Sequence, residues 1–165
     1  MNYEKRRLVG CRYCQFSNIT DFRTTYGSRK AFKTAFKAIN SFENFEGVAF
    51  LRTYTPSHFE NGLWNQGENC VKQRPFRSNE TILECANLDL YMTPIEGFKV
   101  AEREGKKKGS RFRLIDVTQA ILLRPDGRPS RYGHWPNENV VMYNDCVHWC
   151  LPGPVDSWND FLLIC

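Results

Sequence analysis

Seven cysteines, at positions 11, 14, 70, 85, 146, 150 and 165, constrain this chain more than any other feature. They are an odd number for a disulfide protein and a high number for a chain kept reduced. Such wide spacing points either to an oxidising compartment or to a metal site. Two glycosylation sequons, Asn18-Ile19-Thr20 and Asn79-Glu80-Thr81, favour the secretory alternative. The longest apolar runs, Ala120–Leu123 and Phe161–Cys165, fall far short of the ~20 residues that span a bilayer. No signal-peptide core follows the basic start Met1–Arg7, so this reading expects the entry signal upstream of Met1.

The remaining composition narrows the class. At 165 residues, with 41% hydrophobic and 14% aromatic content, the chain supports one domain with a real core. Its net charge of +5 raises the question of a polyanionic partner. The basic residues are scattered, however, and Lys106-Lys107-Lys108 stands between glycines beside Glu102 and Glu104. That cluster reads as a solvated loop, so no nucleic-acid partner and no membrane contact are expected from this chain.

Hydrophobic periodicity sets the order of elements. Phe32, Ala35, Phe36 and Ile39 form the apolar stripe of an amphipathic helix over Arg29–Phe42. Val48–Leu51 reads as a buried strand running into Arg52-Thr53-Tyr54 and stopped by Thr55-Pro56. The capping-box pattern Thr81-x-x-Glu84 predicts a helix from about Glu80 to Glu104, kinked or divided at Pro94. A second strand is predicted at Phe112–Val117, then a short element at Thr118–Leu123. A long loop over Arg124–Pro154 and a last helix over Val155–Leu163 complete the chain. Alternating helix and strand favour a layered α/β fold.

The chemistry-bearing residues crowd into two segments. In Asn144-Asp145-Cys146-Val147-His148-Trp149-Cys150, one turn brings Asp145 and His148 together. A carboxylate that accepts the Nδ1–H of an imidazole fixes the tautomer and leaves Nε2 as a base for a hydroxyl nucleophile. On the Asp-x-x-His pattern alone, a buried structural pair is the commoner outcome. Cys146 and Cys150 bracket the pair, as disulfide partners or, with His148 and Cys11-x-x-Cys14, as ligands of zinc. The second segment, Arg52 to Asn65, follows a predicted strand at its carboxyl end, where α/β folds place their sites. Its Arg52, His58, Asn61 and Trp64 are the residue types of a carbohydrate groove; a turn with Trp64 as core filler fits equally.

Three motifs carry a more specific likeness. Arg52-Thr53…Pro56-Ser57-His58-Phe59-Glu60-Asn61-Gly62…Trp64-Asn65, Leu123-Arg124-Pro125-Asp126-Gly127…Pro129-Ser130…Tyr132-Gly133-His134-Trp135 and Asn144–Gly153 resemble the C-terminal half of the plant trichome birefringence-like proteins. These are polysaccharide O-acetyltransferases of the plant cell wall with a domain similar to SGNH/GDSL esterases. The resemblance implies a three-layer α/β fold with a parallel sheet, residues 1–165 being the C-terminal portion of one catalytic domain. It implies His148 as general base and Asp145 as the orienting acid, with Arg52, His58, Asn61 and Trp64 binding glycan.

The family's nucleophile is the serine of a Gly-Asp-Ser motif, and none of the eight serines here stands in that context. The resemblance also implies a Cys70–Cys146 disulfide, a Cys150 without its partner, no metal, and no bound cofactor. Acetyl-CoA or another acetyl donor is expected as co-substrate, with xylan or another hemicellulose as acceptor. The expected setting is the Golgi lumen, the full-length protein being anchored in the membrane. A non-catalytic glycan-binding or zinc-stabilised module is the alternative.

Overall fold

The computed structural model describes residues 2–11, 20–22, 24–60, 69–129 and 145–164. The chain divides into two compact units: residues 1–51 with 88–113, and residues 52–87 with 114–165.

The first unit contains strands β1 (Asn2–Glu4), β2 (Arg7–Cys11) and β3 (Thr20–Asp21) in one sheet, with β1 antiparallel and β3 parallel to β2. Helix α1 (Thr24–Ser41) starts earlier than the predicted Arg29. Phe36 on its apolar stripe meets Phe98 and Phe112 edge-on, each pair with ring centroids 6.1 Å apart. This aromatic triangle is the centre of the unit, and the edge-on geometry suits the ring quadrupoles.

Helix α2 (Cys85–Lys106) differs from expectation at its start. The Thr81 capping box does not open it. Glu80 instead binds Arg74 through both oxygens at 2.9 Å and accepts the Arg77 amide, closing a turn that keeps this stretch out of the helix. Pro94 is accommodated without dividing the element, and the neighbouring Thr93 hydroxyl donates to the Asp89 carbonyl at 2.7 Å. Near the helix end, Asn40 Nδ2 donates to the Ala101 carbonyl at 3.0 Å.

Strands β4 (Val48–Arg52) and β5 (Arg111–Ile115) form a two-stranded sheet. Arg111 donates to the Glu46 carbonyl at one end, and the Thr53 amide donates to the Ile115 carbonyl at the other. Both strands therefore run the same way, as an α/β fold requires.

In the second unit Ile115, Val117 and Ile121 form the buried core, with Trp149, Trp158 and Phe161 packed against it. Helix α3 (Thr118–Leu122), a 3-10 turn at Pro125–Gly127 and helix α4 (Ser157–Ile164) supply its short elements. Thr53 and Thr118, both buried, join hydroxyls at 2.8 Å, and Thr53 Oγ1 also accepts the Val117 amide at 3.0 Å. Buried polar atoms at the strand ends are thereby satisfied. A Cβ on Gly127 would lie 2.1 Å from Pro154 Cγ, so only glycine lets these two loop segments approach so closely.

A second buried polar contact joins His58 and Arg128. His58 Nε2 donates to the Leu122 carbonyl at 2.8 Å, and its Nδ1 accepts from Arg128 Nε at 3.1 Å and Nη2 at 2.9 Å. These partners assign the neutral tautomer with the proton on Nε2. Burial pushes His58 down to about 4, and the Arg128 charge adds to that, against the opposing pull of the Leu122 carbonyl, Asp126 and Glu60.

Two stability predictions follow from these contacts. A Cβ on Gly105 would lie 2.8 Å from both Asn40 Oδ1 and Phe112 Cε2. Gly105→Ala is therefore expected to destabilise by roughly 1–3 kcal/mol despite alanine's better helix propensity, read by denaturant unfolding. For His58, the unfolded state binds more protons than the folded state between pH about 6.5 and about 4. Stability is thus fully present above that window and is lost as pH falls through it, by roughly 3 kcal/mol. Unfolding curves across this range should show that slope in the wild type and a shallower one in His58→Gln.

Candidate functional site

The Asp145–His148 turn is built from the backbone outward. Asp145 Oδ1 accepts the amides of Val147 and His148, each at 2.9 Å, which folds the four residues into a closed turn. That leaves Oδ2 to meet His148 Nδ1 at 2.6 Å. The imidazole is 79% exposed and the carboxylate 39% exposed. Partial burial pushes the Asp145 carboxyl up, but the His148 and Val147 amides and the His148 ring together bring it below its ordinary value. The pair is thus an ionised acceptor holding one nitrogen of an outward-facing base, the surface alternative to the buried structural pair.

Three anchors fix this turn. Its ends are held by a neighbouring loop: the Asp145 amide donates to the Pro129 carbonyl at 2.8 Å and the Cys150 amide to the Gly127 carbonyl at 3.0 Å. Cys146 is joined to Cys70 by a disulfide with Cα atoms 5.6 Å apart, and its carbonyl accepts the His58 amide at 3.0 Å. Cys85 and Cys150 are free thiols. Because Cys146 is spent in the disulfide, the zinc arrangement loses one of its sulfurs. Among the described residues no group of three or more His, Cys, Asp and Glu side chains is placed to hold a metal.

The third anchor is Arg128, which is only 2% exposed. Its guanidinium donates to the carbonyls of Pro56, Val147 and His148 and to His58 Nδ1, and it lies 3.5 Å above the Trp149 ring. All of these acceptors are neutral. Burial pushes Arg128 down to about 10, with Asp145 and Tyr54 acting in the opposite direction. A desolvated cation is costly, and four acceptors with a π face beneath them are what offset the loss of water.

Of the residues expected to bind glycan, His58 is placed away from that role. His58 is buried, and with both ring nitrogens taken by Leu122 and Arg128 it has none left for a hydroxyl. Its role here is to hold Arg128, because the strand-end segment turns inward at Pro56. Arg52 ends β4 with its guanidinium 4.1 Å over the Trp158 ring, on the same apolar cluster that carries Trp149. Asn61, Trp64 and the sequon residue Asn18 lie outside the described residues. Asn79 is exposed in the turn closed by Arg74 and Glu80. Arg128 carries no sequence signal of its own, lying in the long loop between Gly127 and Pro129, whereas Trp149 stands in the Asn144–Gly153 motif without an assigned role.

The whole chain, residues 1–165, matches the model of the GDSL/SGNH-like acyl-esterase family found in Pmr5 and Cas1p. It is 60% identical over 161 residues to trichome birefringence-like protein 19 of Arabidopsis thaliana, covering 98% of this chain and 38% of that protein. Trichome birefringence-like protein 20 of the same plant is 51% identical, with 98% and 34% covered. Xyloglucan O-acetyltransferase 4 of Populus trichocarpa is 44% identical, with 94% and 37% covered. The chain therefore spans little more than a third of the length of these curated relatives. By the match along its full length, the chain belongs to the GDSL/SGNH-like acyl-esterase family found in Pmr5 and Cas1p.

Proposed function

We propose that this chain supplies the general base and its orienting acid to a polysaccharide O-acetyltransferase. One observation carries the reading: an exposed imidazole whose Nδ1 is held at 2.6 Å by an ionised carboxylate. That arrangement is the base half of a Ser-His-Asp triad. The nucleophilic serine comes from residues other than these 165, a reading supported by the absence of Gly-Asp-Ser and by the greater length of the relatives.

The mechanism is double displacement. His148 Nε2 takes the proton of the serine hydroxyl as its oxygen attacks the acetyl carbonyl of the donor. Where the donor is acetyl-CoA, the C–S bond breaks and the thiolate recovers that proton from Nε2. A glycan hydroxyl then gives its proton to Nε2 while its oxygen attacks the acyl-serine, and the serine oxygen leaves with the proton. Asp145 stabilises the imidazolium in both halves. The acceptor is a hemicellulose, and relatives named xyloglucan O-acetyltransferases favour xyloglucan over xylan. Arg52 and Trp158 offer a guanidinium and an indole for a sugar, with Asn61 and Trp64 in the neighbouring segment. The setting is an oxidising secretory lumen, supported by the Cys70–Cys146 disulfide.

In the complete protein, His148→Ala is expected to abolish acetyl transfer from labelled acetyl-CoA to deacetylated xyloglucan oligosaccharides. Asp145→Asn should lower kcat by roughly 10²–10⁴-fold. Undiminished transfer by His148→Ala would exclude His148 as the base. Asn79 is the second test of the setting. Protein from a secretory host should lose mass on glycosidase treatment, and Asn79→Gln should reduce that loss; an unchanged loss removes Asn79 as an acceptor.

A further inference from the structure

We infer that Arg128 is a positioning residue for the base: it sets the direction of the His148 imidazole without touching substrate. The backbone of residues 127–129 and the segment 145–150 form a short template and strip. Pro129 and Gly127 hold the two ends of the strip through Asp145 and Cys150. Between those ends, the consecutive carbonyls of Val147 and His148 both turn to the Arg128 guanidinium, and Trp149 lies flat beneath it. The opposite edge of the guanidinium is fixed to Pro56 and His58. The Val147–Trp149 backbone therefore has one orientation available, and the exposed imidazole inherits its direction from that backbone. A side chain that is 79% exposed has few packing contacts of its own, so beyond its bond to Asp145 its direction follows the backbone beneath it.

The geometry demands arginine. Four acceptors spread over both edges of the guanidinium, with an aromatic ring against it, match its fixed fork, whereas the lysine ammonium is a compact point charge with three donors. Arg128→Lys keeps the charge and loses the fork.

The kinetic part of the test rests on the acetyl-transfer reading; the spectroscopic part does not. The ¹⁵N shifts of His148 separate the Nδ1–H tautomer, which the Asp145 bond selects, from the Nε2–H form that free imidazole prefers. In the complete protein, Arg128→Lys is expected to move His148 toward the Nε2–H form while the thermal transition and the Cys70–Cys146 disulfide persist. Its kcat should fall about ten- to a hundred-fold, with KM within about twofold. An unchanged tautomer ratio overturns the inference, as does a raised KM with kcat intact, which would make Arg128 a binding residue. If Arg128→Lys fails to fold, Trp149→Leu serves instead. It removes the π face but no hydrogen bond, and it should shift the ratio the same way; an unmoved ratio there also overturns the inference. Should His148→Ala retain transfer activity, the acetyl-transfer reading fails while the ¹⁵N comparison still decides the role of Arg128.

Discussion

A positive charge held out of water with neutral partners organises the second unit. The Arg128 guanidinium ties the turn after β4 to the segment that carries His148, and His58 beside it is kept uncharged by the same burial. Removing one acceptor would leave a buried cation short of a partner, which costs far more than an ordinary hydrogen bond. The disulfide, the two amide bonds to residues 127 and 129, and the apolar cluster under Trp149 all converge on this contact. An exposed and mobile type of side chain thereby stands on a base that has no freedom to rearrange.

Local pattern made the repeating elements legible. The Phe32–Ile39 stripe marks α1, the apolar runs at Val48 and Phe112 mark β4 and β5, and the Asp-x-x-His spacing marks the pair. What stayed hidden depends on contacts between distant residues. Glu80 was legible as a helix start and is instead committed to Arg74, six positions earlier. His58 carries a sugar-binding residue type, yet Arg128, 70 positions later, claims its free nitrogen. No window of sequence contains both residues. The Cys70–Cys146 bond spans 76 positions, and only the likeness to the trichome birefringence-like proteins pointed to it.

The two groups at the site illustrate opposite uses of solvent. His148 is left in water, where it can exchange protons; Arg128 is deprived of water, where its hydrogen bonds gain strength and direction. An exposed imidazole and a buried guanidinium thus share one short segment while occupying opposite environments.

The two oxygens of the Asp145 carboxylate work on different levels. Oδ1 shapes the chain by accepting the amides of residues 147 and 148, while Oδ2 faces the imidazole. Architecture and reactivity thus share a single planar group, and neither can drift independently of the other. A longer glutamate would displace both contacts at once. An amide could preserve the turn but would point either a second donor or a weaker acceptor at the ring. The turn and the hold on the imidazole rest on one side chain, which leaves this position very little chemical latitude.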